Sequence, residues 1–250
     1  MEGSSLKFVT YNIHKGFNSG GRRFTLNRMR GALHSLHPDF IFLQEVLGEH
    51  SGYRRKIKAW PVRSQLEFLA HGVWPHFVYG KNAIYENGHH GNAILSKYPI
   101  QYSENIDITT NRLERRGLLH GVFRIPGTRK SLHAISVHLG LLEAERAQQI
   151  QMLCARIDSH VPEEDPLVIG GDFNDWRGRV SGSLRERLGL LEAYQHLYGH
   201  HARTFPSWLP ALRLDRIYYR GLRVRSARCL SRAPWNGLSD HSALSAELTF

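Results

Sequence analysis

Cysteine is scarce in this chain: Cys154 and Cys229 are the only two among 250 residues, far apart and outside any metal-type spacing. That excludes a disulfide framework and a thiolate zinc centre, and leaves two reduced structural thiols. Long apolar runs are also missing. None approaches the roughly 18 residues of a membrane span, and residues 1–16, "MEGSSLKFVTYNIHKG", turn strand-like without the apolar core of a secretory leader. The expected compartment is the cytosol, with a peripheral place on an anionic membrane surface as the alternative. Acidic charge is short as well. Twenty-two Asp and Glu face 33 Lys and Arg, a formal net charge of +11, which favours polyanionic partners, nucleic acid first and an acidic membrane face second. No obligate protein partner is evident. Linkers, low-complexity segments, internal repeats, GxGxxG and GxxxxGK are all absent, so residues 1–250 read as a single domain without a Rossmann or P-loop nucleotide site.

What is present is an alternation of strand-like and helix-like segments over nearly the whole length. Strands are expected at 6–13, 39–46, 76–79, 92–96, 117–125, 131–139, from 167, and at 214–222, 224–230 and 242–250. Helices are expected at 25–36, with Thr25 as N-cap, and at 63–74, 141–160 and 183–191. A loop rich in Asn, Thr and Arg fills the stretch before 117. This is an α/β pattern, and alternation such as "SALSAELTF" adds antiparallel pairs.

The strands share one habit: several end in acid, amide or imidazole. The first reaches Asn12 and His14, the second Gln44 and Glu45, and "HAISV" runs into His138. "PLVIGGDFNDWRG" (166–178) runs from apolar residues through two glycines into Asp172 and Asn174, Asp215 sits in "RLDRIYY", and Ser239, Asp240 and His241 precede the last strand. A lone Asn or Asp at a strand end is an ordinary turn former. Six such ends are better explained by convergence, because ligands of α/β folds sit where loops leave the strands. Carboxylates with amides and no thiol suit a hard cation such as Mg²⁺, with Mn²⁺ as a substitute. Histidine beside carboxylate suits activation of water, and amide, imidazole and arginine donors suit a phosphate gaining charge in the transition state. Together these residue types describe metal-assisted phosphoester hydrolysis.

The ordered set "TYNIH" (10–14), "LQEV" (43–46), "GNAILSKYPI" (91–100), "VHLG" with "ERAQQ" (137–149), "GDFND" (171–175), "TFPSWLPALRLDRIYY" (204–219) and "LSDHSALSAEL" (238–248) resembles the endonuclease/exonuclease/phosphatase superfamily. That is the group of DNase I, exonuclease III, sphingomyelinases and inositol polyphosphate 5-phosphatases, and "HKGF", "NGHHGNAILSKYPI" and "RLDRIY" are similar to a small bacterial subgroup within it. The resemblance implies a four-layer α/β sandwich with two facing mixed sheets and the site at one end between them. It also implies roles: Glu45 and Asn12 hold the metal, joined by Asp240 directly or through water, and His241, oriented by Asp215, activates the attacking water. Asp172 positions that water or holds a second metal, and Asn174 and His138 bind the scissile phosphate. Gly170 and Gly171 would let that phosphate approach closely.

The chain departs from the family pattern at one point. Many members carry an acid just before the "GNAILS" glycine to orient the phosphate-binding histidine, whereas here His89 and His90 stand there. A histidine pair raises zinc as an alternative, without the ligand spacing zinc prefers. Arg116, ahead of "GLLHGV", and Arg22, after "NSGG", are the candidate substrate-binding cations, each against the alternative of solvated surface charge. Trp208, with Phe205 and Leu209 near it, is either a buried loop anchor or a platform for a base or a lipid interface. The expected activity is Mg²⁺-dependent phosphodiester hydrolysis, on nucleic acid first and on a phospholipid or small phosphodiester second. A catalytically silent anion-binding module is the remote alternative.

Overall fold

The computed structural model describes residues 5–112 and 114–250. Twelve strands form two six-stranded sheets. The first contains β1 (Ser5–Asn12), β2 (Phe40–His50), β3 (His76–Tyr85), β4 (Gly88–Ser96), β11 (Arg223–Leu230) and β12 (Ala243–Thr249), in the order β11-β12-β1-β2-β4-β3. The second contains β5 (Ile100–Asp107), β6 (Gly117–Arg124), β7 (Ser131–His138), β8 (Leu167–Asp172), β9 (Leu191–Glu192) and β10 (Asp215–Arg220), in the order β5-β6-β7-β8-β10-β9. Each has one central parallel pair, β1 with β2 and β7 with β8, flanked by antiparallel neighbours.

Side-chain parity builds the layers. On β1, β2, β7 and β8 the even-numbered apolar residues Phe8, Phe40, Phe42, Ala134 and Val168 pack between the sheets. The odd-numbered Val9 and Ile41 face α1 (Leu26–Leu36) and α3 (Gln65–Ala70). On the other side Ile135, Val137 and Ile169 face α4 (Glu143–His160) and α5 (Arg179–Leu188). Three apolar layers separate four structural ones, because a strand alternates its faces every residue. Two facing mixed sheets in a four-layer sandwich are what the resemblance implied.

Several elements depart from expectation. β5 occupies part of the expected loop; all but two of its residues are exposed, and Glu104 and its polar neighbours interrupt the short alternation of Ile100, Tyr102 and Ile106. The helix expected at 183–191 runs four residues earlier and stops at Gly189, whose φ of +65° suits glycine. Two short helices, α2 (Ser51–Lys56) and α6 (Ala193–Tyr198), were not anticipated. Thr25 precedes α1 without capping it: its hydroxyl donates to the Leu238 carbonyl at 2.6 Å, tying the helix start to the segment before β12. Gly170 has a packing role instead of the expected phosphate role. A Cβ there would lie 2.3 Å from the Phe42 ring of the opposite sheet, and one on Gly171 would lie 2.1 Å from the Val137 carbonyl oxygen.

Candidate active site

The same parity that buries Phe42 carries Asn12, Gln44, His138 and Asp172 to one end of the inter-sheet layer. β1, β7 and β8 finish there and β2 passes through on its way to His50, and Asn12 pairs with Gln44 in register while His138 and Asp215 both pair with Asp172. Parity alone would send Glu45 to the helix face with Ile41 and Leu43. A bulge breaks the β2–β4 register between Leu43 and Val46, and Glu45 takes a left-handed φ of +57°. Bulges re-aim side chains, and this one turns Glu45 toward Asn12. A non-glycine residue held in that region costs about 1–3 kcal/mol, which is the kind of strain that collects at functional sites.

Asn12 links the sheets. Its Nδ2 donates to Asp172 Oδ2 at 3.2 Å and to Glu45 Oε1 at 3.4 Å, while its Oδ1 accepts the His14 backbone N–H. Asp172 Oδ1 accepts the Asn174 N–H at 3.0 Å. Asp215 Oδ2 lies 2.8 Å from His241 Nδ1, and the other ring nitrogen, Nε2, is 3.7 Å from Asp172 Oδ2. His138 Nε2 approaches the same Asp172 oxygen at 3.6 Å. Asn174 holds a left-handed φ of +50°, tolerable for its short polar side chain, and spends one amide hydrogen on the Leu139 carbonyl, leaving the other free.

Burial splits the ionisation of these groups. Asp172 is pushed up to about 6, first by burial, with nearby Asp215 adding and the His241 ring opposing. Burial works against the charged form of His241, but Asp215 and then Asp172 outweigh it and raise the imidazole to about 10. His138 is held well below its usual range by burial, with Arg116 and His241 adding, and so stays neutral. His90, brought to the site by β4, is lowered to about 4, chiefly by burial.

The donor set fits a hard divalent cation. Glu45 is part-exposed, and among the described residues its oxygens meet the long Asn12 contact and Lys15 Nζ at 3.9 Å, which leaves lone pairs to take a cation. Asp172, Asp215 and His241 gather one potential ligand atom each within 4.8 Å. The short Asp215–His241 hydrogen bond occupies Nδ1, so the open ligand atoms of this trio are His241 Nε2 and the Asp172 carboxylate. Asp240 Oδ1 accepts from Ser239 Oγ at 3.1 Å and lies 3.6 Å from His14 Nδ1, and its charge adds to those that raise His241.

A cleft of about 370 Å³ opens on these groups, lined by Asn12, Glu45, His138, Asp172, Asn174 and His241 on its polar side. Arg116 lines it as expected, paired to Glu114 at 3.1 Å. Arg22 and Trp208 do not line it. Arg22 is exposed on a loop whose Ser19 hydroxyl donates to the Ser239 carbonyl and meets Ser207 Oγ at 3.1 Å, while Trp208, beside Ser207, is 73% exposed. Both therefore sit on the rim and not in the cleft. Sequence reasoning missed Glu114, Leu141, Trp176, Leu212 and Leu214 in the lining. Position was their only signal: Trp176 follows "GDFND" directly, and Leu141 comes three residues after His138.

Comparison with known proteins agrees with this geometry. The model of the Endonuclease/Exonuclease/phosphatase family matches residues 9–241. The uncharacterized protein YbhP of Escherichia coli (strain K12) is 43% identical over 244 residues, covering 98% of this chain and 96% of that protein. The human Nocturnin catalytic domain with bound sulfate anion shares the fold at a TM-score of 0.77 and 20% identity, over 98% of this chain and 93% of that one. D. rerio TDP2 complexed with single strand DNA product does so at 0.73 and 20%, over 99% and 100%. The chain thus belongs to the Endonuclease/Exonuclease/phosphatase family of metal-dependent phosphoric ester hydrolases.

Proposed function

We propose that this enzyme is a Mg²⁺-dependent phosphodiester hydrolase acting on nucleic acid. The observation that carries the reading is the Asp215–His241–Asp172 line, joined through Asn12 to Glu45 in one cleft. His241 Nδ1 is fixed by Asp215, so Nε2 presents to the cleft beside Asp172, where a water can meet both groups. Nε2 can take the proton of that water, as the water attacks phosphorus, only when the ring is neutral, so the step draws on the deprotonated fraction of an imidazole raised to about 10. Neutral His138, the free Asn174 hydrogen and the Arg116 guanidinium would hold the phosphate oxygens as charge grows on them. Mg²⁺ held by Glu45, with Asn12 and Asp172 at hand, supplies positive charge that offsets the developing phosphoryl charge.

The basic balance of +11 and the exposed Arg22 and Arg23 at the rim support a polyanionic substrate. The fold shared with TDP2 bound to a single-strand DNA product is compatible with that. A second reading, a phospholipid substrate at an anionic membrane surface, is favoured by Trp208 and Leu209, which are 73% and 63% exposed on one loop. Among the described residues no helix is long and apolar enough to cross a membrane, and we assign the enzyme to the cytoplasm, peripheral to the membrane under the second reading.

One assay series decides: plasmid DNA, abasic duplex, single-stranded DNA, RNA, sphingomyelin and glycerophospholipid vesicles, and a chromogenic phosphodiester, each with Mg²⁺. Nucleic-acid cleavage is expected, falling steeply as salt rises. Turnover of vesicle phospholipid without nucleic-acid cleavage would install the second reading. No hydrolysis of any of them would favour the silent anion-binding module.

A further inference from the structure

The cleft lining is mixed. Alongside the carboxylates and imidazoles it carries Leu141, Trp176, Phe205, Leu212 and Leu214, with the Phe205 ring 4.9 Å from that of His241. A phosphate seated on the polar groups would bring its neighbouring group within reach of these apolar residues. Trp176 is the widest surface there and remains 42% exposed.

Loop anchoring does not explain that tryptophan. Its neighbours already do the anchoring: Phe173 is fully buried, and Asp175 is buried in an ion pair with Arg216 at 3.0 Å while accepting the Val180 N–H at 2.9 Å. Trp176 is instead held up from beneath. The buried Arg146 guanidinium lies over one face of the indole, 5.1 Å from the ring centre, and its Nη1 donates to the carbonyls of Gly140 and Leu141. One cation thus fixes both Trp176 and Leu141, from two different loops. With one indole face covered, the exposed area belongs to the other face and the edges. Large exposed rings on rigid supports beside a cleft mark binding surfaces.

We infer that Trp176 is a stacking platform for the nucleobase next to the scissile phosphate, with Arg146 as the positioning residue behind it. This rests on the nucleic-acid reading above and adds a subsite to it. An acyl chain would gain only buried area on these residues. A flat base gains stacking on the indole as well, whatever its identity, so little base preference is expected.

The test compares two chromogenic diesters with the same leaving group, thymidine 5′-(p-nitrophenyl phosphate) and ethyl p-nitrophenyl phosphate. Wild type should show a lower KM for the thymidine ester. Trp176→Ala should erase that advantage by raising its KM roughly 5- to 150-fold, the worth of one stacked base, with kcat kept. Trp176→Phe should restore most of it, and Trp176→Leu, which keeps apolar area without a ring system, should not. A readout free of turnover is quenching of intrinsic tryptophan fluorescence by thymidine 3′,5′-bisphosphate, which Trp176→Phe should largely abolish.

If the enzyme cleaves nucleic acid yet Trp176→Ala leaves the KM ratio and the quench intact, the platform is wrong and the proposed function stands. If quench and KM effect both appear while polymeric nucleic acid resists, the platform stands and the polymer reading falls. Absence of both, with phospholipid turned over, sinks the two together.

Discussion

Two of the buried histidine clusters among the described residues have opposite fates. At the cleft, His241 sits between Asp215 and Asp172 and is raised to about 10. On the α4 side of the second sheet, His120 Nε2 meets His133 Nδ1 at 3.0 Å, Arg156 Nε donates to His120 Nδ1 at 3.2 Å, and Asp165 closes on His133 at 3.5 Å. There His120 is lowered to about 3, first by burial and then by the His133 ring and Arg156. Burial is common to both, so burial alone does not mark a site. The difference lies in what remains open. His120 has both ring nitrogens engaged by protein, whereas His241 has one nitrogen fixed and the other facing a cleft beside a carboxylate. Perturbed ionisation becomes a functional signal when a reactive edge is left facing a space that a substrate can enter.

Breaking the open cluster should produce the largest effect. EDTA should abolish hydrolysis of whichever phosphoester is accepted, with Mg²⁺ or Mn²⁺ restoring it, and Glu45→Gln should lose most activity with the fold kept, as read by circular dichroism. Full turnover in EDTA would remove the metal from the mechanism. Next in size, His241→Ala should lower kcat by roughly 10²–10⁴-fold, and Asp215→Asn by a similar or smaller factor, because it frees the ring from its orientation. The double variant should be little worse than His241→Ala, since the two act as a unit. Losses that simply multiply would contradict the 2.8 Å pairing.

The closed cluster should answer to stability instead. His120→Ala should cost about 1–3 kcal/mol in chemical denaturation, the penalty for stranding buried partners, while kcat stays near wild type. The same cluster should also leave a pH signature in stability, and none in kcat. His120 has a folded value of about 3 against an unfolded value of about 6.5, so the unfolded chain binds the proton first. The stability from its neutral form is therefore complete above about pH 6.5 and is lost as pH falls from there toward 3. Wild type should show that slope in denaturation midpoints, and His120→Ala should flatten it; equal slopes would mean that another group carries the acid sensitivity.

Parity made much of the site legible. Asn12, His138 and Asp172 lie on the faces that alternation assigns to the inter-sheet layer, and their residue types stand out at strand ends where apolar residues stop. Glu45 was legible as a residue type and by resemblance, but its direction comes from a bulge, and nothing in "LQEV" announces one. β5 was illegible because an edge strand facing solvent has no need of apolar residues. Gly170 was misread for a related reason. The atom that forbids a side chain there belongs to Phe42, more than a hundred residues away, and a local reading sees only an empty space. Trp176 was passed over because its role depends on Arg146 from another element.

The Phe42 ring seated over Gly170 has a mechanical consequence. Asn12, Glu45 and His241 belong to the first sheet and its approaches, Asp172, Asp215 and His138 to the second, so the Asn12–Asp172, His241–Asp215 and His241–Asp172 contacts span the gap between two independently hydrogen-bonded plates. Nothing covalent at that end fixes how far one plate can slide over the other. A ring set into a hollow in the opposite plate acts as a locating pin, and Gln44 Nε2 to Ser136 Oγ at 3.3 Å and Asn92 Nδ2 to the Gly117 carbonyl at 2.9 Å act as further stops on the same seam. Alignment of proton acceptor, carboxylates and phosphate donors is thereby set several residues below the chemistry, in the dry interior, and the cleft inherits its tolerances from the fit of a phenylalanine into the space where a side chain is missing.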